Sequence, residues 1–299
     1  MSGFTHLHLH SEFSLLDGAC RIKPLIAAAK NLGQTSLAIT DHGVMFGAIN
    51  FYKEAVAQGI KPIIGCEVYV AARTRFDKVH GIDNERYHLI LLAENDIGYS
   101  NLVKIVSDAW TQGFYTKPRV DRELLEKYHE GIIALSACLA GEIPQALLRG
   151  DYDSARETAL WYSETFGKDN FFIEIQNHGI EEELRVLPLL KRLSKETGIG
   201  LVATNDVHYV RKEDSKIQQI LICIQTNHIL GENTGIEFEA DEFYLKSEDE
   251  MRMLFADAPE AIDNTARIAE RCNLGIEFGN TKLPNFDTPD NEDHFEYFA

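Results

Sequence analysis

The chain has 299 residues, 44% of them hydrophobic, enough for one large core with or without a smaller appendage. Its 29 basic and 47 acidic residues leave a net charge of −18, the wrong sign for gripping nucleic acid along a broad surface, so any such contact has to be local, metal-mediated or supplied by another part of a longer protein. No stretch reaches the roughly 18 consecutive apolar residues of a membrane span, no signal-peptide pattern opens the chain, and five scattered cysteines without a CxxC pair fit neither a disulfide framework nor a zinc ribbon, so a cytoplasmic protein is expected.

The first element, "THLHLHSEF" (5–13), places His6, His8 and His10 at alternate positions. On a strand they share one side, where two imidazoles can share a metal; a single strand histidine is more often packed or hydrogen-bonded. Asp17 in "DGAC" is either a further ligand or a cap for the helix expected over 22–32. Apolar runs at 36–40, 61–65, 88–93, 131–136, 171–176 and 200–205 read as buried parallel strands. Helical spacing covers 45–58, 98–112, 120–128, 141–148, 151–166 and 181–197, the last acidic at its start and basic at its end.

Alternation of this kind predicts an α/β fold with a parallel sheet, and seven or so units suggest a closed barrel. Asp41 and His42, Glu67, Cys138, and Asp206 with His208 each follow a predicted strand, on the edge where such folds build their sites. With Asp17 and His88 they supply nitrogen, oxygen and sulfur ligands suited to two or three ions of zinc, manganese or iron. Paired ions of that kind serve phosphoester hydrolysis, with a carboxylate such as Glu67 bridging them and Asp206 or Asp41 accepting a proton. Cys66, beside Glu67 but on the opposite strand face, reads as core. His178, with Glu174 and Gln176, lines the pocket or lies on the surface; His80 and His129 fall in polar loops. Neither a Gly-rich phosphate loop nor a GxSxG nucleophile motif is present.

Beyond residue 210 the rhythm changes to an amphipathic helix, "SKIQQILICIQTN" (215–227), then a short strand and two helices over 243–273, the second starting near Pro259 with Asp257 available as its cap. The tail is rich in proline and acid and carries no final packed element, so a longer chain is expected.

"HLHLHSEFSLLDGA", "LAITDHGVMFGAINFY", "GIKPIIGCEVYV", "LVATNDVHY" and "EFYLKSEDEMRMLF" together resemble the N-terminal PHP domain (polymerase and histidinol phosphatase) of bacterial DNA polymerase III alpha subunits. The resemblance implies a distorted (β/α)7 barrel over 1–210, a C-terminal helical extension over 211–280, and a linker over 281–299 toward a polymerase region that this chain lacks. It places metal ligands at His8, His10, Asp17, His42, Glu67, His88, Cys138, Asp206 and His208, with His6 as support. It also implies a 3′–5′ proofreading exonuclease acting on a DNA 3′ end, two or three divalent ions, and as partners the rest of the alpha subunit, a proofreading subunit and other replisome components, with no membrane. Two alternatives stay open: a metal-stabilised docking module without catalysis, and a free-standing phosphatase of the histidinol-phosphatase kind.

Overall fold

The computed structural model describes residues 3–230, 240–280, 287–289 and 293–298, so most of the tail expected as a linker lies outside the described residues. In chain order the elements are α1 (Ile22–Asn31), β1 (Ser36–Ile39), α2 (Ala48–Gln58), β2 (Lys61–Ala71), β3 (Arg86–Ala93), α3 (Asp96–Thr111), β4 (Arg119–Val120), α4 (Arg122–Lys127), β5 (Ile132–Leu135), α5 (Glu142–Leu148), α6 (Tyr152–Phe166), β6 (Phe171–Ile175), α7 (Glu181–Thr197) and β7 (Leu201–Ala203). After them come α8 (Ser215–Thr226), α9 (Glu248–Leu254), α10 (Pro259–Arg271) and a short α11 (His294–Phe298).

The strands form one curled sheet in the order β1-β2-β3-β5-β6-β7, with β4 beside the end of β2. The N-terminal segment closes it: Ala38 and Thr40 donate to the carbonyls of His6 and Leu9, while His10 and Val207 exchange hydrogen bonds with each other's strand. The result is a distorted barrel with helices outside.

One expectation is corrected. β3 runs antiparallel to both neighbours, with Glu67 opposite Ile90, and Ile90 in turn opposite Leu135. Residues 72–85 between β2 and β3 contain no crossover helix, and without one the chain returns antiparallel. This reversal brings His88, near the start of β3, to the same rim as the carboxyl ends of the other strands. Glu67 likewise sits inside β2, which runs on to Ala71, rather than at its end.

Period-two alternation sorts the strand residues into layers. Leu89 and Leu91, with Cys66, Val68 and Val70, face the core beneath the helices. Ile90 and Leu92, with Ile63, Leu135 and Val202, fill the barrel interior. Ile268 and Ala269 of α10, with Cys272 just after it, join that interior cluster, so α10 forms the floor of the barrel. α9 starts with a Ser247–Glu250 capping box. α10 starts on Pro259 with no side-chain cap; Asp257, expected there, pairs instead with Lys191 at 2.6 Å. Above the apolar layer, the inward positions become polar.

Candidate metal centre

Glu67 lies at the middle of the polar layer. Its Oε2 is 3.2 Å from His8 Nε2, 3.0 Å from His10 Nε2 and 3.1 Å from His42 Nδ1, while Oε1 contacts His88 Nδ1. Asp206 Oδ1 lies 3.0 Å from His8 and 3.1 Å from His10. Asp17 Oδ2 accepts from His42 Nε2 at 2.8 Å, and its other oxygen is 3.6 Å from His208 Nε2. Asp17 therefore belongs to the cluster and caps no helix; the N-cap of α1 is Arg21, without a side-chain bond. Cys138 Sγ stands 3.7 Å from His88 Nδ1.

Seven of the nine expected ligands converge in three overlapping triads: His10, His42 and His208; His8, His10 and Asp206; His42, Glu67 and His88; Asp17 and Cys138 adjoin them through His42 and His88 without entering one. Within each triad the ligand-capable atoms lie within 4.8 Å of one another. His42 Nδ1, Asp17 Oδ1, Glu67 Oε1 and Asp206 Oδ1 are buried without a hydrogen bond among the described residues. Lone pairs crowded together in this way are costly unless a cation or protons satisfy them, and a mixed imidazole and carboxylate set suits a divalent ion. The backbone is also strained here, with positive φ at Ala137, just before Cys138, and at Asp206 (φ 62 and 43).

Electrostatics follow the same logic. Burial works against charge on every group, but opposite charges prevail at most of them. His88 and His42 hold the Glu67 carboxyl well below its usual range, and His8 and His208 do the same for Asp206. The His8 imidazole rises well above its ordinary value against burial, through Asp206 and Glu174. At His10 burial wins, helped by His42 and His208, and the ring is pushed down. Its ring stacks on His42 at 4.0 Å. Burial pushes the Cys138 thiol up, with Asp206 and Glu67 adding to it.

The structure separates other residues from the cluster. The Asp41 carboxylate accepts from the Ser11 backbone N–H at 2.6 Å, the Ser11 hydroxyl at 2.8 Å and the Ser14 hydroxyl at 2.7 Å, so it braces the 11–14 turn. His6 donates Nε2–H to the Lys246 carbonyl at 2.8 Å and belongs to none of the triads. Sequence reasoning underrates two residues. Glu174 is buried against His8 at 2.7 Å, and His178, left open as a surface residue, is buried between Glu183 at 2.6 Å and the stacked ring of Phe243. The inward phase of "FFIEIQ" marks Glu174; for His178 the near partner, Glu183, is five residues on, but the Phe243 ring that covers it comes from far along the chain. His80 and His129 are exposed.

A cavity of about 770 Å³ opens above the cluster, with His42, His88, Cys138, Asp206 and His208 on its floor. Converging imidazoles and carboxylates beneath such a cleft, on the rim of a distorted α/β barrel, define a metal-binding barrel protein. The chain belongs to the PHP domain family, whose model matches residues 6–178. It is 52% identical over 96% of its length to a DNA polymerase III subunit alpha of Treponema pallidum, covering 24% of that protein. Identity is 46% to the same subunit of Borreliella burgdorferi and 45% to that of Thermus aquaticus, over 96% and 98% of this chain. The chain thus spans about a quarter of the length of these curated relatives. Among solved structures, an amidohydrolase from Chromobacterium violaceum aligns with a TM-score of 0.45 at 16% identity, over 68% of this chain and 87% of that one. Among the described residues, no helix is long and apolar enough to cross a membrane.

Proposed function

We propose that the chain is the N-terminal region of a cytoplasmic DNA polymerase III alpha subunit, and that its cluster hydrolyses the terminal phosphodiester at a DNA 3′ end. The observation that carries this reading is the set of three overlapping ligand triads under one open cleft. His8, His10, Asp17, His42, Glu67, His88, Cys138, Asp206 and His208 would hold two or three divalent ions, of zinc, manganese or iron. When bound, such ions supply Lewis acidity and positive charge for phosphoester hydrolysis and reverse the local field of an acidic protein.

The chain's own residues divide the remaining work. Glu67 touches four imidazoles and fixes their spacing. Asp206 reaches both the inner triad and the cleft, and so can take a proton at Oδ1. Asp41, locked by two serines, keeps the 11–14 turn in place. In this reading residues 1–210 are the PHP barrel, 211–280 its helical extension and 281–299 the link to the rest of the alpha subunit, with the proofreading subunit and replisome as further partners.

The test uses the purified chain with manganese or zinc and a labelled single strand. Stepwise loss of nucleotides from the 3′ end is expected, and a His8→Ala, His10→Ala double variant should lose it. Equal inactivity of both proteins overturns the reading. A melting temperature that still falls with chelator would then assign the ions a structural role.

A further inference from the structure

Within a chain of net charge −18, one wall of the cleft is cationic and aromatic. Arg86 lies 5.8 Å and Lys117 5.6 Å from the centre of the Tyr69 ring. That ring in turn packs 5.2 Å from His88 and 6.3 Å from His42. Among the described residues neither cation forms an ion pair; Arg86 donates to the Asn84 carbonyl at 3.0 Å. Burial and the field of Arg86 push the Lys117 amine below its usual range, and the one carboxylate that opposes this, Asp17, is engaged by His42. Two half-buried like charges that share one aromatic ring and line one cleft form a seat for an anion.

Next to them, Trp110 and Phe114 stack at 5.5 Å with an interplanar angle of 24°. They are 43% and 45% exposed at the cleft mouth. Trp110 is tied to the metal site, because its Nε1–H donates to the Gly43 carbonyl at 2.8 Å, one residue after His42. Gly43 has φ +63, and an added Cβ would meet Pro118 at 2.9 Å and Tyr69 at 3.0 Å, so only glycine lets this wall dock so closely. The wall is thus joined to the backbone that carries His42 by a hydrogen bond and by close packing at Gly43.

In the phosphodiesterase reading the ligand triads serve one phosphate, and two cations on the wall of the same cleft leave room for a second. We propose that Arg86 and Lys117 bind the phosphodiester adjacent to the scissile one and that Trp110, backed by Phe114, stacks an unpaired nucleobase. The cleft thereby selects the end of a single-stranded nucleic acid over small phosphate esters. This rests on the phosphodiesterase reading above and names the residues that choose its substrate; base stacking on exposed aromatics tolerates any sequence.

The test compares an oligothymidylate with bis(p-nitrophenyl) phosphate, as the ratio of the two kcat/KM values, in wild type, Arg86→Met, Lys117→Met and Lys168→Met. Lys168 is exposed and away from the cleft lining, and its loss changes net charge equally. The ratio should fall at least tenfold for the first two variants and hold for the third. The slope of log kcat/KM for the oligonucleotide against log salt should flatten by about 0.7 per lost phosphate contact. A ratio unchanged in Arg86→Met and Lys117→Met, or lowered equally by Lys168→Met, overturns the inference. Failure to hydrolyse either compound overturns the phosphodiesterase reading instead. Binding is read separately: with Trp161→Phe leaving Trp110 as the single indole, a phosphorothioate oligothymidylate should quench its fluorescence at saturation, and no quenching refutes the stacking role.

Discussion

His8 Nδ1 lies 2.7 Å from Glu174 Oε1, and both side chains are completely buried. A carboxylate only accepts, so Nδ1 carries the proton and Nε2 is the atom turned toward Glu67 and Asp206. Glu174 is held in turn by Gln176 at 3.0 Å and by the Thr204 hydroxyl. A carboxylate behind a ligand histidine fixes its tautomer and raises its basicity. Glu174→Gln is therefore expected to weaken metal binding by about 10- to 100-fold while the chain stays folded. Equilibrium dialysis with zinc or manganese, paired with circular dichroism, measures this; unchanged affinity would remove Glu174 from the site.

The three N-terminal histidines should separate cleanly. His6 is buried, bonded to the Lys246 carbonyl and packed edge-on against Phe4 at 4.7 Å, whereas His8 and His10 enter the triads. His6→Ala should keep most of the bound metal and lose about 1 kcal/mol of stability with the hydrogen bond to the Lys246 carbonyl, which still accepts from Gln34 Nε2 at 3.1 Å. His8→Ala or His10→Ala should lose metal. Equal metal content in all three variants would contradict this division.

Much of this arrangement is legible in the sequence, because apolar runs and helical spacing report burial directly. The direction of β3 is not: a strand buried on both faces shows the same apolar run whichever way it points, and only the helix-free 72–85 connection decides. The same limit hides why His88 reaches the rim. His178 and Asp41 show another limit, since a histidine or aspartate beside a strand looks identical whether it faces a cleft or a neighbouring side chain. Glu183 from α7 and Phe243 from beyond β7 enclose His178, while Ser11 and Ser14 claim Asp41.

The floor of the barrel gives a stability prediction. Ile268 of α10 is fully buried in the interior cluster beneath the ligand layer. Ile268→Ala should cost about 2–5 kcal/mol, the transfer term plus the cavity. Urea unfolding measures it; a cost below about 1 kcal/mol would mean that α10 does not close the barrel.

Cys272, at the end of α10, makes the floor sensitive to alkali. Its thiol ionises near 9 in the unfolded chain, while burial, with Lys61 and Arg271 opposing and Glu94 assisting, pushes it up to about 12 in the folded one. Between those pH values the folded state holds the proton that the unfolded state has released, so stability falls as pH rises. The loss is about 1.4 kcal/mol per pH unit, or about 2 kcal/mol at a pH of about 10.5. Cys272→Ala removes this contribution, whatever it costs in packing. Urea unfolding of both proteins at neutral and alkaline pH should show the stability gap shifting toward the variant as pH increases. Parallel pH profiles would show that the thiol ionises as readily in the folded barrel as in the unfolded chain.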